Sequence, residues 1–418
     1  MKIKRSKFFN KATRQALNEG WTYNYARQQI THEEIEKIKT EHKLEELFRF
    51  DRNINPYGSS PKVKAFQEST DPEIVQKRQE INNCPPLSRF ILRDELAKLY
   101  NIKSTHIVIS TGVDNLIDIL SRSIFEHDDY FLSFEPDYPR FEMCSERMSA
   151  NHIYVELSEE ENFSITKDKL NALKDKLQRF FPKILWISNP NNPTGYTIPN
   201  SELYDIICLA RDFNTVVVVD ESLAEFEEVP PYGSCIHYIQ HHKNESLEDF
   251  PNLVVLKTLS KAYGLHQMPL GFMITPNQEI VESVLLYRPR LIIPNMTLML
   301  SKIAISDTQY IEEVIKRTKK NRDYIFEKIE NLQNLKFIES DINTFVFRHV
   351  HFNAEELYQL FKEQGILTSP IVSTNSKLAT NYLRVVQSFD ECNMKFCEAC
   401  VAVNAKEFTP KQKDGSNN

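Results

Sequence analysis

Seven short apolar runs, at 107–109, 131–134, 153–155, 184–187, 216–219, 253–256 and 272–274, recur along the chain between stretches with helical spacing. Several are continuous rather than alternating, as strands buried on both faces must be. Strand and helix in alternation predict an α/β domain around a mostly parallel sheet. Such sheets bind ligands beyond the carboxyl ends of their strands. Upstream, Thr31-His-Glu-Glu34 has the form of a capping box and predicts a charged helix to about Phe48. Asn53-Ile-Asn-Pro-Tyr57-Gly58 is turn-rich and predicts irregular backbone. Phe90, Leu92, Leu96 and Leu99 fit one face of a helix over 88–100. Downstream, a long charged helix at 309–332 is followed by shorter strands and helices at 343–347, 354–364, 382–386 and 390–406. These predict a second, smaller α+β domain. The expected organisation is an N-terminal arm and helix over 1–52, a large domain over 53–305, a small domain over 306–405 and a disordered polar tail over 406–418.

The chain has 418 residues, 41% hydrophobic and 26% charged, enough for two domains with sizeable cores. A net charge of −7 carries no basic footprint for nucleic acid. Mean hydropathy is −0.44, and no apolar run reaches the length of a membrane span. The first seventeen residues hold six basic side chains and no acid, and read as a surface helix or arm. Seven cysteines, an odd number in a long chain, point to a reducing compartment, hence a cytoplasmic protein. Cys392, Cys397 and Cys400 have a spacing seen among iron–sulfur ligands, yet no fourth ligand stands at a matching distance. They read as packing residues of a helix. His241-His242 and His349-Val-His351 also lack partners at metal-ligand spacing, so no metal site is expected.

Candidate chemistry falls just after the predicted strands. Ser110-Thr-Gly112-Val113-Asp114 is a glycine turn opening a helix, either an ordinary connection or a phosphate cradle of free N–H groups. Asn189-Pro-Asn-Asn192-Pro-Thr-Gly195 is a tight, preset turn that holds its side chains still. Asp220 ends a buried strand, where a carboxylate is ion-paired or functional. Tyr138, in Glu135-Pro-Asp-Tyr138-Pro, offers a ring that could stack on a flat cofactor. Thr258-Leu-Ser260-Lys261 places a lysine past a strand, flanked by hydroxyls, as a Schiff-base amine requires.

Taken in order, these residues resemble the fold-type I pyridoxal-phosphate enzymes, class I/II aminotransferases, in the histidinol-phosphate aminotransferase and threonine-phosphate decarboxylase branch. The likeness covers about 53–402. It implies a large domain with a mostly parallel seven-stranded sheet and a smaller α+β C-terminal domain. It further implies pyridoxal 5′-phosphate as cofactor and amino transfer from an amino acid to a 2-oxo acid. In that family pattern, Lys261 would hold the cofactor as an imine and then move the substrate's α-proton. Asp220 would pair with the pyridine nitrogen, Asn192 with ring oxygen O3′, and Tyr138 would stack on the ring. Gly112, Val113 and Asp114 would offer backbone N–H groups to the phosphate, with the hydroxyls of Thr258 and Ser260. Tyr57 would reach the phosphate of a neighbouring subunit, implying a homodimer with shared sites. Arg384, in Tyr382-Leu-Arg384-Val, would clamp the substrate carboxylate through a planar guanidinium.

Two positions depart from the pattern. Leu223 stands where relatives carry a tyrosine that donates to O3′, and Pro269 where they carry a phosphate-binding arginine. His266, Gln267, Arg288 and Arg290 are the candidates to replace that cation. Decarboxylation, elimination or cyclisation at the same cofactor, and a cofactor-binding homologue with little catalysis, are the alternative readings.

Overall fold

The computed structural model describes residues 30–79, 86–242, 245–289, 293–371 and 380–406. The basic N-terminal stretch, Arg290 and nearly all of the polar tail lie outside them. The seven apolar runs form seven strands: β2 (Ile107–Ser110), β3 (Tyr130–Glu135), β4 (Asn151–Glu156), β5 (Ile184–Ser188), β6 (Val216–Asp220), β7 (Leu253–Thr258) and β8 (Gly271–Ile274), with a short β1 (Phe48–Arg49) before them. They build one sheet in the order β2-β8-β7-β6-β5-β3-β4. Only β8 runs antiparallel to its neighbours; the other pairings are parallel.

The continuous apolar pattern has a direct cause. Successive strand residues face opposite sides of a sheet, and here both sides are covered. Leu185, Ile187, Val217, Val219, Leu253 and Val255 join one core, while Ile184, Trp186, Val218, Val254 and Leu256 join the other. Helices Val113–Ile124 and Gln278–Tyr287 cover the second face. Phe90, expected on the buried face of helix Pro86–Tyr100, is 40% exposed, whereas Leu92 and Leu96 are buried as expected.

A second, antiparallel sheet has the order β12 (Ser369–Pro370), β13 (Tyr382–Val386), β10 (Thr344–His349) and β9 (Leu335–Phe337). Helices Ala354–Glu363 and Asp390–Asn404 pack on it around Phe345, Phe347, Phe361 and Phe396. Cys397 and Cys400 are buried in that core, and no cluster of metal-ligating side chains occurs among the described residues. The helix Thr308–Ile329 joins the two parts: Ile311 and Ile315 pack in the large core, Ile325 and Ile329 in the small one.

The capping box at Thr31 is formed, yet its helix ends at His42, short of Phe48. Lys43 turns left-handed there, and Phe48–Arg49 becomes β1, pairing with β11 (Ile366–Leu367). That partner lies more than 300 residues away, so helical spacing within 31–48 carried no sign of it.

Candidate active site

The carboxyl ends of β2, β3, β5, β6 and β7 open on one cleft of about 840 Å³. After β2, Gly112 takes φ 113° and caps the helix Val113–Ile124. That left-handed value favours glycine. A Cβ on Gly271 of β8 would stand 2.6 Å from Gly112 C and Val113 N. Bare backbone at both positions therefore leaves the first N–H groups of a twelve-residue helix facing the cleft, where its dipole favours an anion.

Asp220 closes β6 and is 5% exposed. Burial pushes its carboxyl up to about 6, opposed by hydrogen bonds from the Ser222 hydroxyl and N–H. Glu221 and Lys257, each one residue along from Asp220 and Thr258, point to the opposite side. There the Lys257 ammonium lies 3.1 Å from Glu221 and 2.9 Å from Glu225, all three fully buried. This ion cluster ties the exit of β6 to β7, because losing one partner would strand a buried charge.

Lys261 lies in the turn after β7. Its ammonium donates to the Asn53 carbonyl at 3.0 Å. Gly264, at φ 70°, ends the turn, and a Cβ there would overlap the Gly58 carbonyl. The bare glycine thus lets the 53–58 segment close on the lysine turn, and Asn55 Nδ2 donates to Ala262 O at 2.7 Å. Burial lowers Lys261 to about 8, reinforced by the charge of Arg384 and opposed by Asp114 and Asp220.

Asn192 lines the cleft, and its Oδ1 accepts from Arg384 Nη1 at 3.3 Å. Arg384 sits mid-strand on β13 and also lines the cleft, so the two sheets contribute to one site. The Tyr138 hydroxyl donates to Asp114 Oδ1 at 2.8 Å, which holds the ring at the cleft wall. Ser260 lines the cleft as well. The Thr258 hydroxyl donates to Leu270 O at 2.9 Å and accepts from Ser260 N at 3.1 Å. Its single hydrogen therefore shapes the turn. Tyr57 does not line its own chain's cleft. Its hydroxyl accepts from Asn321 Nδ2 at 2.8 Å, and its ring meets Phe389 edge-on.

Among the candidate replacement cations, His266 lines the cleft with Gln267 and Pro269. Arg288 donates from Nη1 to Ile109 O at 2.6 Å and is not part of the cleft wall. Leu223 is buried against Phe226 and Ala262 and reaches the cleft. Arg52, Asp137 and Ser188 are among the cleft residues to which the sequence motifs gave no role. Asp137 carried the same signal as Asp220, a carboxylate just past a buried strand.

A half-buried amine, a buried carboxyl at a strand end and a helix N-terminus share one cleft. They match the three polar features of pyridoxal phosphate: an aldehyde, a ring nitrogen and a phosphate. On this geometry the residues present fit that group.

A family model described as aminotransferase class I and II matches residues 45–398. A histidinol-phosphate aminotransferase of Caldicellulosiruptor saccharolyticus is 29% identical over 366 residues, covering 87% of this chain and 94% of that protein. The crystal structure of the histidinol-phosphate aminotransferase from Clostridium acetobutylicum superimposes with a TM-score of 0.74 at 20% identity, covering 86% of this chain and 99% of that one. The enzyme of the same name from Sinorhizobium meliloti, in complex with pyridoxal-5′-phosphate, gives a TM-score of 0.72 at 18% identity, over 91% of this chain and 98% of that one.

Proposed function

The chain belongs to the class I and II aminotransferases and is a pyridoxal-phosphate-dependent enzyme; from that premise we propose that it takes the amino group from a small amine bearing an anionic group held by Arg384. The observation that carries this reading is the convergence of Lys261, Asp220, Asn192 and Arg384 on one cleft. When bound, the cofactor supplies an electron sink for the charge that develops at the substrate's α-carbon.

The chain's own residues supply the rest. Lys261, lowered to about 8, is poised to take the proton from the substrate's α-carbon and to return it on the far side of the amine nitrogen, a 1,3-proton shift. Asp220 would keep a proton on the ring nitrogen. Asn192, whose Oδ1 is held by Arg384, would offer its Nδ2 to the ring oxygen. Tyr138 would stack on the ring. The N–H groups following Gly112 and the Ser260 hydroxyl would hold the phosphate. Arg384 presents two parallel donors to a carboxylate. The relatives named for a phosphorylated substrate make phosphate the second anion to test there.

Tyr57 serves the partner's phosphate in a homodimer, a reading supported by its place outside its own cleft. Sedimentation should give twice the chain mass of 48.9 kDa. A mixed dimer of Tyr57→Phe and Lys261→Ala chains should regain cofactor affinity at one site, whereas an active monomer would contradict the reading. No helix among the described residues is long and apolar enough to cross a membrane. The odd count of seven cysteines supports a reducing compartment, on which ground we place the enzyme in the cytoplasm.

The reaction is tested by mixing the loaded enzyme with one amine substrate and no acceptor. One equivalent of oxo product per site, with loss of the visible band until a 2-oxo acid restores it, is the expected result. Continuous product release without acceptor would mark a lyase.

Pro269 has no donor to offer, and Arg288 is turned to Ile109 O. Pro269→Arg is therefore expected to tighten cofactor binding roughly tenfold, the worth of one charge-assisted hydrogen bond. Titration with pyridoxal phosphate measures it, and weakened binding would show that another cation already fills the place.

A further inference from the structure

Given that assignment of the cleft, we propose that Asp137 is its positioning residue, setting Tyr138, Asn192 and, through Asn192, Arg384. The Asp137 carboxyl, pushed well above the usual carboxylate range by burial and drawn back by these hydrogen bonds, lies just past β3 and accepts at Oδ1 from Tyr138 N at 2.7 Å, from Ser188 N at 3.2 Å and from the Ser188 hydroxyl. Both backbone N–H groups belong to cleft residues at the ends of neighbouring strands, β3 and β5.

Ser188 carries the effect onward. A hydroxyl has one hydrogen, and here it goes to Asp137. The oxygen is then left as an acceptor, aimed at the asparagine turn. It receives Asn192 N at 3.0 Å and Asn191 Nδ2 at 3.4 Å. Asn191 Nδ2 also reaches Pro136 O at 3.1 Å, so the turn is tied twice to the segment that holds Asp137. Asn192 Oδ1 accepts from Arg384, and this last link crosses to the small sheet. One carboxylate thus orders the ring-facing side chains of two strands and the anion-binding guanidinium of a third. Without it, the Ser188 hydroxyl is free to rotate and donate elsewhere, and the Asn192 N–H loses its fixed acceptor.

A merely structural carboxylate and a positioning one differ in what they move. Structural loss lowers melting temperature alone. Positioning loss alters the donor at the cofactor's ring oxygen and the aim of Arg384. The test uses the loaded wild type, Ser188→Ala and Asp137→Ala. Three quantities are read: the pH midpoint of the visible absorption, the dissociation constant of pyridoxal phosphate, and KM against kcat for a carboxylate substrate. A donor to the ring oxygen favours the deprotonated chromophore. Both variants should therefore raise the midpoint by about half a pH unit or more. They should weaken the cofactor, and raise KM roughly tenfold with a smaller change in kcat. Lower melting temperature with unchanged midpoint and KM would overturn the positioning role. Ser188→Ala removes one oxygen and with it the relay from Asp137 to the asparagine turn, so unchanged midpoint and KM in that variant would overturn the role even if Asp137→Ala does not fold. A wild type that takes up no cofactor would overturn the assignment of the cleft and the positioning role with it.

Discussion

Lys261→Ala is expected to lower the rate of amino transfer about a thousandfold or more while the protein still folds. Proton transfer by a placed side chain contributes on the order of 10²–10⁴ to a rate, and here the same amine is also the covalent anchor. The substitution removes a long side chain from an open cleft, whose single described hydrogen bond goes to the Asn53 carbonyl. Little packing is lost, and a melting curve close to wild type should accompany the loss of the visible band. The pH dependence gives an independent check. Only the neutral amine attacks an aldehyde. An exposed lysine near 10.5 is almost wholly charged at pH 7, whereas one at about 8 is neutral in roughly a tenth of molecules. The rate at which cofactor-free protein captures the aldehyde should rise with pH and level off above about 8. Stopped-flow absorbance measures that profile. A rate still climbing toward pH 10 would mean that the amine is not shielded as the cleft indicates.

Arg384→Ala should cost carboxylate substrates about 2–5 kcal/mol in kcat/KM, the usual loss on removing one partner of a desolvated charge pair. That corresponds to roughly 30- to several-thousandfold. Cofactor affinity should change far less, since the guanidinium meets the turn through Asn192 Oδ1. Arg384→Lys keeps the charge and loses the fork, and should recover only part of the affinity. A second consequence ties this residue to the first. The charge of Arg384 is among the causes that lower Lys261, so the alanine variant should capture the aldehyde with its pH midpoint moved upward. Steady-state kinetics with an amino acid and with its decarboxylated amine separates the two roles. Equal loss on both substrates would mean that Arg384 does not bind the carboxylate.

The strands were legible in the sequence for a simple reason. A segment covered on both faces has no polar side to show, so β5, β6 and β7 read as unbroken apolar runs, and each is buried almost throughout. Parallel strands then bring their carboxyl ends to one edge. Lys261, Asp220 and the Asn189–Gly195 turn had to share a neighbourhood, because each directly follows such a run. Their residue types and order sufficed to suggest the cofactor chemistry.

Other features depend on which distant segments become neighbours, and local spacing contains no trace of that. The helix expected to run to about Phe48 stops at His42, and Phe48–Arg49 pairs with Ile366–Leu367, since ladder hydrogen bonds to a second strand outweigh one more helical turn. Arg288 looked as available to a phosphate as His266, yet its guanidinium is used by Ile109 O. Tyr57 found a place against Asn321 and Phe389 rather than in its own cleft. Asp137 and Ser188 stand 51 residues apart, and Asn192 and Arg384 stand 192 apart. The sequence by itself determined the layered sheet and the chemical groups at its edge, because burial and periodicity act over a few residues. Only the tertiary structure decided which carboxyl is bonded to the asparagine turn through Ser188 and which candidate cation lines the cleft, because a hydrogen bond is set by distance and direction in space.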